Sequence, residues 1–225
     1  MRNVFRVFWE AIKDWWDELF ILLLMNVVTT LLLIPVVTFP PALAGLWNAG
    51  NRAAQGKAIG WADYFEGFRR YFLKAWGLAL LNILVFAVVS ANVRFYSPDI
   101  APFEISDTAS TWISGFFVAI GFLWLVVQIY LMPTLLEQED QRWRVALRNS
   151  AVLFIINPVF TIVLALLLFL VAAISTFFVL PWVLITLAFF AVVCNKAVLH
   201  LLEPIRERMR AEKEEEGQLA ADDSQ

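Results

Sequence analysis

The side chains best able to do chemistry in this sequence are amides that lie inside long apolar stretches. They are Asn26, Asn82, Gln128, Asn157 and Asn195. An amide in an apolar medium needs hydrogen-bond partners, which it finds on other helices or in a polar cavity. Two interpretations therefore stay open: the amides join helices, or they line a solute path. Gln128 and Asn195 are the best path candidates, because their surroundings are mostly Leu, Val, Ile and Phe.

Residues for catalysis or metal binding are scarce in the sequence. It has one histidine, His200, and one cysteine, Cys194, which cannot form a zinc site without several carboxylates. It shows no nucleophile–base pair, phosphate-binding loop or metal-ligand spacing. We interpret His200 and the nearby Lys196 as residues of the membrane interface. The sequence thus predicts a protein that is not an enzyme and that has no cofactor and no metal.

The elements that must position these amides are membrane-spanning helices. Of the 225 residues, 61% are hydrophobic and 16% are charged, whereas soluble proteins have about 25% charged residues. Uncharged runs of about 20 residues match the thickness of a bilayer when they are helical. The pattern predicts an all-α, polytopic transmembrane bundle with five spans, at about 19–39, 75–93, 112–134, 152–173 and 180–200.

The predicted organisation is one transmembrane domain over 19–200, with an amphipathic segment 1–18 before it. A charged tail, 201–225, follows and ends in disorder. Lysine and arginine accumulate on the cytoplasmic side of membrane proteins. With five spans, one side has four cations (Arg2, Arg6, Lys13 and Arg94) and the other has the remaining 13 of the 17. This distribution predicts an N-terminus outside the cell and a C-terminus in the cytoplasm.

Segment 61–76 is predicted to be an amphipathic helix at the cytoplasmic interface. Its aromatic residues recur at helical spacing, with three cations beside them. Asp63 and Glu66, three residues apart, resemble a capping box. The cations predicted to contact lipid headgroups are Arg69, Arg70, Lys74 and, in the tail, Arg206.

A short separate helix is predicted over 41–54, after Pro40-Pro41 ends the first span. Gly45, Ala49 and Ala53 recur every four residues along this helix. Small residues at this spacing let two helices approach closely. The sequence therefore predicts that the helix packs tightly against another one.

Two stretches, 31–76 and 147–166, contain a recurring family pattern. Its residues here are Pro35, Thr38, Pro41-Ala42, Tyr64-Phe65, Phe68 and Phe72, then Arg148, Asn149, Asn157, Pro158 and Thr161. In this pattern the chain resembles the YesL-like family of bacterial integral membrane proteins, whose function is unknown. Pro40 stands where the family has a glycine. The resemblance extends over roughly 15–200 and implies a location in the bacterial inner membrane.

The resemblance also implies an accessory role in binding-protein-dependent carbohydrate uptake. Our first hypothesis is therefore a non-enzymatic accessory or assembly partner of a solute-uptake system. The expected partners are membrane lipids and other membrane proteins, such as uptake-system permeases or a second copy of the chain. The net charge of −3 gives no reason to expect nucleic acid. The alternatives are a small oligomeric transporter or channel with an amide-lined path and, less favoured, a membrane-embedded enzyme.

Overall fold

The computed structural model describes residues 4–98, 100 and 105–222. Regular structure within these residues is helical, which confirms the predicted all-α class. The helices are α1 (Val4–Asp17), α2 (Leu19–Leu31), α3 (Phe39–Ala54), α4 (Trp61–Arg70), α5 (Phe72–Phe95), α6 (Asp107–Leu136), α7 (Trp143–Ile156), α8 (Pro158–Phe178) and α9 (Leu187–Asp222). A 3₁₀ turn, Val36–Thr38, precedes α3, and a π-helical segment, Trp182–Thr186, leads into α9.

Four helical stretches of the described residues are long and apolar enough to cross a membrane. They are α5, α6, α8 and Trp182–Ala211, which joins the π-helical segment to the first part of α9. Helix α2 is apolar but has only 13 residues, which is about 20 Å at about 1.5 Å per residue. Because a hydrocarbon core is about 30 Å thick, α2 is too short to cross it alone.

The structure corrects the prediction of one continuous helix over 19–39. Helix α2 ends at Leu31, a few residues before Pro35, because the residue preceding a proline disfavours the helical conformation. The Thr38 hydroxyl donates to two backbone carbonyls of the connecting turn and holds it closed. Pro40-Pro41 does not end a span but lies in the first turn of α3, where a missing N–H costs nothing.

Helix α1 lies antiparallel to α9. The Asp14 carboxylate is 2.7 Å from the Lys196 ammonium, and four residues earlier Glu10 lies within electrostatic range of His200. Aromatic rings of α1 pack edge-on against Phe189. The start of α1 therefore lies beside the middle of α9, where Arg6 is within electrostatic range of Glu203.

The first half of α9 is the centre of the main core. Ala191, Val192, Ala197 and Leu201 are completely buried there, among residues of α1, α2, α3 and α8. Helix α3 approaches α9 most closely at Gly50. A Cβ atom added at Gly50 would lie 2.8 Å from the Ala191 Cβ, closer than real Cβ contacts come. The small residues of α3 thus let the two backbones nearly touch, which fixes the position of α3 against the last span.

Helix α4 begins at Trp61, about one turn before the start implied by the predicted capping box of Asp63 and Glu66. Its N-cap is Gly60, whose N–H donates to the Asp63 carboxylate at 2.8 Å, so Asp63 occupies the third helical position. Tyr64 faces α3 and is buried, whereas the rings of Trp61 and Phe65 pack edge-on beside it and are exposed. This exposed aromatic face is the one predicted to contact the membrane interface.

Helices α5 and α6 form a long hairpin. They are joined by a hydrogen bond of 2.7 Å between the Trp124 indole and the Asn82 amide, and by stacked rings of Tyr96 and Phe117. In α5 the only buried residue is Ala75. The outer faces of both helices are rich in exposed Leu, Ile, Val and Phe. Most of α5 and the first half of α6 therefore present a broad apolar surface, whereas the second half of α6 packs into the rest of the bundle with Tyr130 and Leu131 buried.

The fourth predicted span begins later than 152. Helix α7 ends at Ile156, and α8 starts at Pro158, because Asn157 takes a non-helical conformation (φ −128°, ψ 57°) before the proline. At the other end of the chain, α9 continues as a helix to Asp222. The predicted disorder at the end of the tail falls partly on 223–225, which lie outside the described residues.

Candidate functional site

Asn26 is completely buried and bonds the start of the last span at three points. Its Nδ2 donates to the carbonyls of Trp182 at 2.9 Å and Val183 at 2.7 Å. Its Oδ1 accepts from the N–H of Ala188 at 2.7 Å. Val183 and Ala188 are five residues apart, the spacing that a π turn joins directly. The amide therefore bridges a break in the hydrogen-bond ladder of the last span.

Asn195 is also completely buried and is one end of a polar chain that joins three helices. Asn51 of α3 donates from Nδ2 to the Asn195 Oδ1 at 3.0 Å and to a Glu137 carboxylate oxygen at 2.8 Å. Arg206 of α9 donates to the other oxygen of Glu137. Gln55 donates to the Asn51 Oδ1 at 2.7 Å. We call these five residues the Glu137 network.

Glu137 is the charged centre of this network and was not predicted as a site residue. It caps the end of α6, and its side chain is only 10% exposed. In sequence it is the first carboxylate after a long uncharged stretch, which places it at a span end. The residues of α3 and α9 that surround Glu137 reach it through tertiary packing. No local sequence pattern therefore indicated that Glu137 is a site residue.

The remaining three amides lie apart from the Glu137 network. Asn82 accepts from Trp124 inside the α5–α6 hairpin. Asn157 lies at the break between α7 and α8, where its Nδ2 is 3.4 Å from the Leu153 carbonyl. The Gln128 Nε2 is buried with no hydrogen-bond partner among the described residues. The structure thus distributes the five predicted amides over different helix contacts.

Gly45, Ala49 and Ala53 of α3 are all buried, and Gly45 faces α4. A Cβ added at Gly45 would lie 2.6 Å from the Tyr64 carbonyl oxygen. The matching residue on α4 is Gly67, where an added Cβ would lie 2.4 Å from a side-chain carbon of α3. Sequence analysis missed Gly67, because a single glycine inside an amphipathic pattern gives no spacing signal. The two glycines let α3 and α4 cross in near contact.

The cations predicted to contact headgroups differ in their surroundings. Arg69 is exposed, and Arg70 is 3.4 Å from a glutamate one turn earlier. Lys74 donates to Gln141 at 2.9 Å, and Arg206 belongs to the Glu137 network. Next to Lys74, burial raises the pKa of the Tyr71 phenol, which therefore stays protonated at neutral pH. Arg69 is thus an exposed cation that belongs to none of these pairs.

Two cavities meet at Glu137 and Gln138. The larger has a volume of 570 Å³ and lies between the end of α6, the α7–α8 break and α9. The smaller, of 390 Å³, lies on the side of α3 and α4 and is lined mainly by amides and charged side chains. We call them the α9 cavity and the α4 cavity. Within the described ranges no group of three or more His, Cys, Asp or Glu residues could hold a metal ion.

These helices, with their apolar surfaces and buried helix-joining amides, define a multi-pass helical membrane protein. Residues 19–93 match the family described as "Protein of unknown function, DUF624", and YesL-like proteins are members of that family. The resemblance identified from the sequence is confirmed over this stretch, which contains α2–α4 and most of α5. No curated protein and no solved structure matches the chain.

Proposed function

We propose that this protein is a non-enzymatic accessory or assembly partner of a solute-uptake system, of the carbohydrate type implied by the family resemblance. One observation supports this proposal most: α5 has a single buried residue and the first half of α6 has few, so this part of the hairpin presents a broad apolar surface. Apolar helix surface that the described chain does not cover is available to contact another membrane protein. In a bilayer such contacts depend on close packing of the two surfaces.

The contacts of the buried amides favour this role over that of a transporter. Asn26, Asn82 and Asn195 each bond atoms of a neighbouring helix. A solute path needs polar groups that can exchange their protein bonds for bonds to the solute, as in carriers with sites at the bilayer midplane. We therefore place the transporter second. Sugar or ion flux into proteoliposomes above the protein-free control would reverse this order.

Site-specific photocrosslinking in membranes tests the accessory role. We expect a photoreactive phenylalanine analogue at Phe116, on the outer face of α6, to crosslink to the membrane subunit of a solute-uptake system, identified by mass spectrometry. The matched control is Phe169 of α8, since the two side chains are 63% and 70% exposed. Crosslinks to lipid alone at Phe116, or the same protein adducts at both positions, would contradict the proposal.

We further propose that both termini are cytoplasmic, in a bacterial inner membrane. An even number of spans, four by length and apolarity, and the contact of α1 with α9 support this arrangement. Helices α2 and α3 then enter and leave the membrane from that side. Among the described residues, Arg94 is the one lysine or arginine at the opposite ends of the spans. This distribution is more asymmetric than that of the five-span arrangement and satisfies the positive-inside rule better.

Cysteine labelling in intact cells tests this orientation. We expect a membrane-impermeant maleimide to label Ser97→Cys in intact cells and Arg6→Cys only after permeabilisation. The native Cys194 is buried in the core and gives the background signal, which the parent protein measures. Equal labelling of both variants before permeabilisation would restore the orientation with α1 outside.

A further inference from the structure

The α9 cavity combines an apolar wall with polar groups in its lining and at its rim. Val152, Leu153, Ile156, Leu202, Ile205 and Met209 form the apolar wall. Several of these side chains are exposed in the described structure, so the wall is not covered by the chain itself. The volume of 570 Å³ falls in the range of about 300–1,000 Å³ that is typical of small-molecule sites.

Gln138 is a polar residue of the lining, at the point where the α9 cavity meets the α4 cavity. Its Oε1 and Nε2 are both buried, and neither has a hydrogen-bond partner among the described residues. A buried amide without partners is destabilising, so such groups usually point to a missing partner. The amide has both a donor and an acceptor to satisfy. A bound group that offers an acceptor and a hydroxyl donor would satisfy both.

The rim of the cavity is positively charged. Arg206 and Arg208 line it on the α9 side, with Asn149 on the α7 side. Arg206 already bonds Glu137, so Arg208 contributes most of the charge that an external anion would meet. Arginine binds phosphate oxygens through a planar pair of N–H groups. The cavity also lies at the ends of α6 and α8, where a lipid headgroup would be located.

We propose that the α9 cavity is a specific site for one anionic phospholipid with a hydroxyl-bearing headgroup. Its phosphate would bind Arg208 and accept from the Gln138 Nε2, while a headgroup hydroxyl would donate to the Gln138 Oε1. One acyl chain would cover the apolar wall formed by Ile156, Ile205 and Met209. With the orientation proposed above, the lipid would come from the cytoplasmic leaflet. The site is independent of any protein partner at the α5–α6 hairpin.

Native mass spectrometry of the full chain in a neutral detergent tests the proposal. We would titrate phosphatidylglycerol and, separately, phosphatidylcholine. We expect phosphatidylglycerol to saturate at one tightly retained molecule, and we expect phosphatidylcholine to bind more weakly. Removing one arginine contact by Arg208→Gln should lower phosphatidylglycerol affinity about fivefold, the typical effect of one cation near an anionic lipid surface.

Two matched controls separate the site from general lipid contact. Arg210→Gln removes an equal charge from an exposed residue of the same helix that does not line the cavity, and it should leave affinity unchanged. Ile156→Trp fills the cavity and should abolish retention of the single lipid. Ile155→Trp places the same bulk on the neighbouring residue, which is similarly exposed (70% against 64%) but does not line the cavity, so retention should persist.

Three results would overturn the proposal. The first is a graded series of adducts, equal for both lipids. The second is an equal effect of the variants at 156 and 155. The third is displacement of the lipid by soluble glycerol phosphate at a similar concentration, because the apolar wall would then contribute nothing.

Discussion

Replacing Gly67 with alanine should destabilise the protein, although alanine is the better helix former. A Cβ at this position would lie 2.4 Å from the Asn48 Cβ, 3.0 Å from the Gly45 Cα and 3.1 Å from the Ala44 carbonyl oxygen. Two of these atoms belong to the backbone of α3, so they can move only if the whole helix shifts. Overpacking of this kind costs about 1–3 kcal/mol.

The control for this prediction is Gly115→Ala in α6. An added Cβ at Gly115 meets nothing within 4 Å, so only the gain in helix propensity remains, about 1 kcal/mol. Both variants share that gain, and the difference between their unfolding free energies therefore isolates the cost of the contact. We would measure both by detergent-titrated unfolding in mixed micelles, followed by tryptophan fluorescence.

The two variants should change stability in opposite directions. If Gly67→Ala is as stable as Gly115→Ala, α3 and α4 do not cross in near contact. Gly67→Ala should also shift α3 against α9, because Gly50 of α3 is in close contact with Ala191 of α9. We therefore expect the largest loss at Gly67 among single glycine-to-alanine changes outside α3.

The sequence was sufficient to predict the all-α class of a helical membrane bundle. The uncharged runs at 75–93 and 112–134 are long enough to cross a bilayer as helices. The structure has longer helices at these places, Phe72–Phe95 and Asp107–Leu136. The first apolar run was harder to interpret. Hydropathy shows how long an apolar stretch is, but it does not show whether the stretch forms one continuous helix. The first apolar run is interrupted after Leu31, which leaves α2 shorter than a spanning helix.

The candidate site was predictable only in part, for a different reason. Buried amides such as Asn195 stand out locally, because an amide is rare in an apolar run. Glu137 and Gln138 do not stand out, since polar residues are expected at the end of a span. Their environment depends on α3 and α9, which are distant in sequence. The contact of Asp14 with Lys196 is likewise tertiary, and so the packing of α1 against α9 could not be inferred from α1 alone.

Replacing Asn26 with leucine, which has a similar volume, should cost more stability than any other loss of a single amide. It removes three hydrogen bonds to the backbone of the last span and leaves two carbonyls and one N–H in an apolar core. Side-chain hydrogen bonds in membrane proteins are worth about 0.6–1.7 kcal/mol each, so three predict a loss of about 2–5 kcal/mol. The same detergent-titrated unfolding measures it.

Asn92→Leu is the matched control, because the Asn92 amide bonds only a carbonyl one turn earlier in its own helix, at an exposed position. Its loss should change the unfolding free energy by less than about 0.5 kcal/mol. The π-helical segment at Trp182–Thr186 gives the second measurement. If Asn26 maintains it, hydrogen exchange at the Ala188 amide should accelerate in the leucine variant and stay slow in the Asn92 control. Unchanged stability and exchange would show that the segment closes into a regular α-helix and does not need the amide.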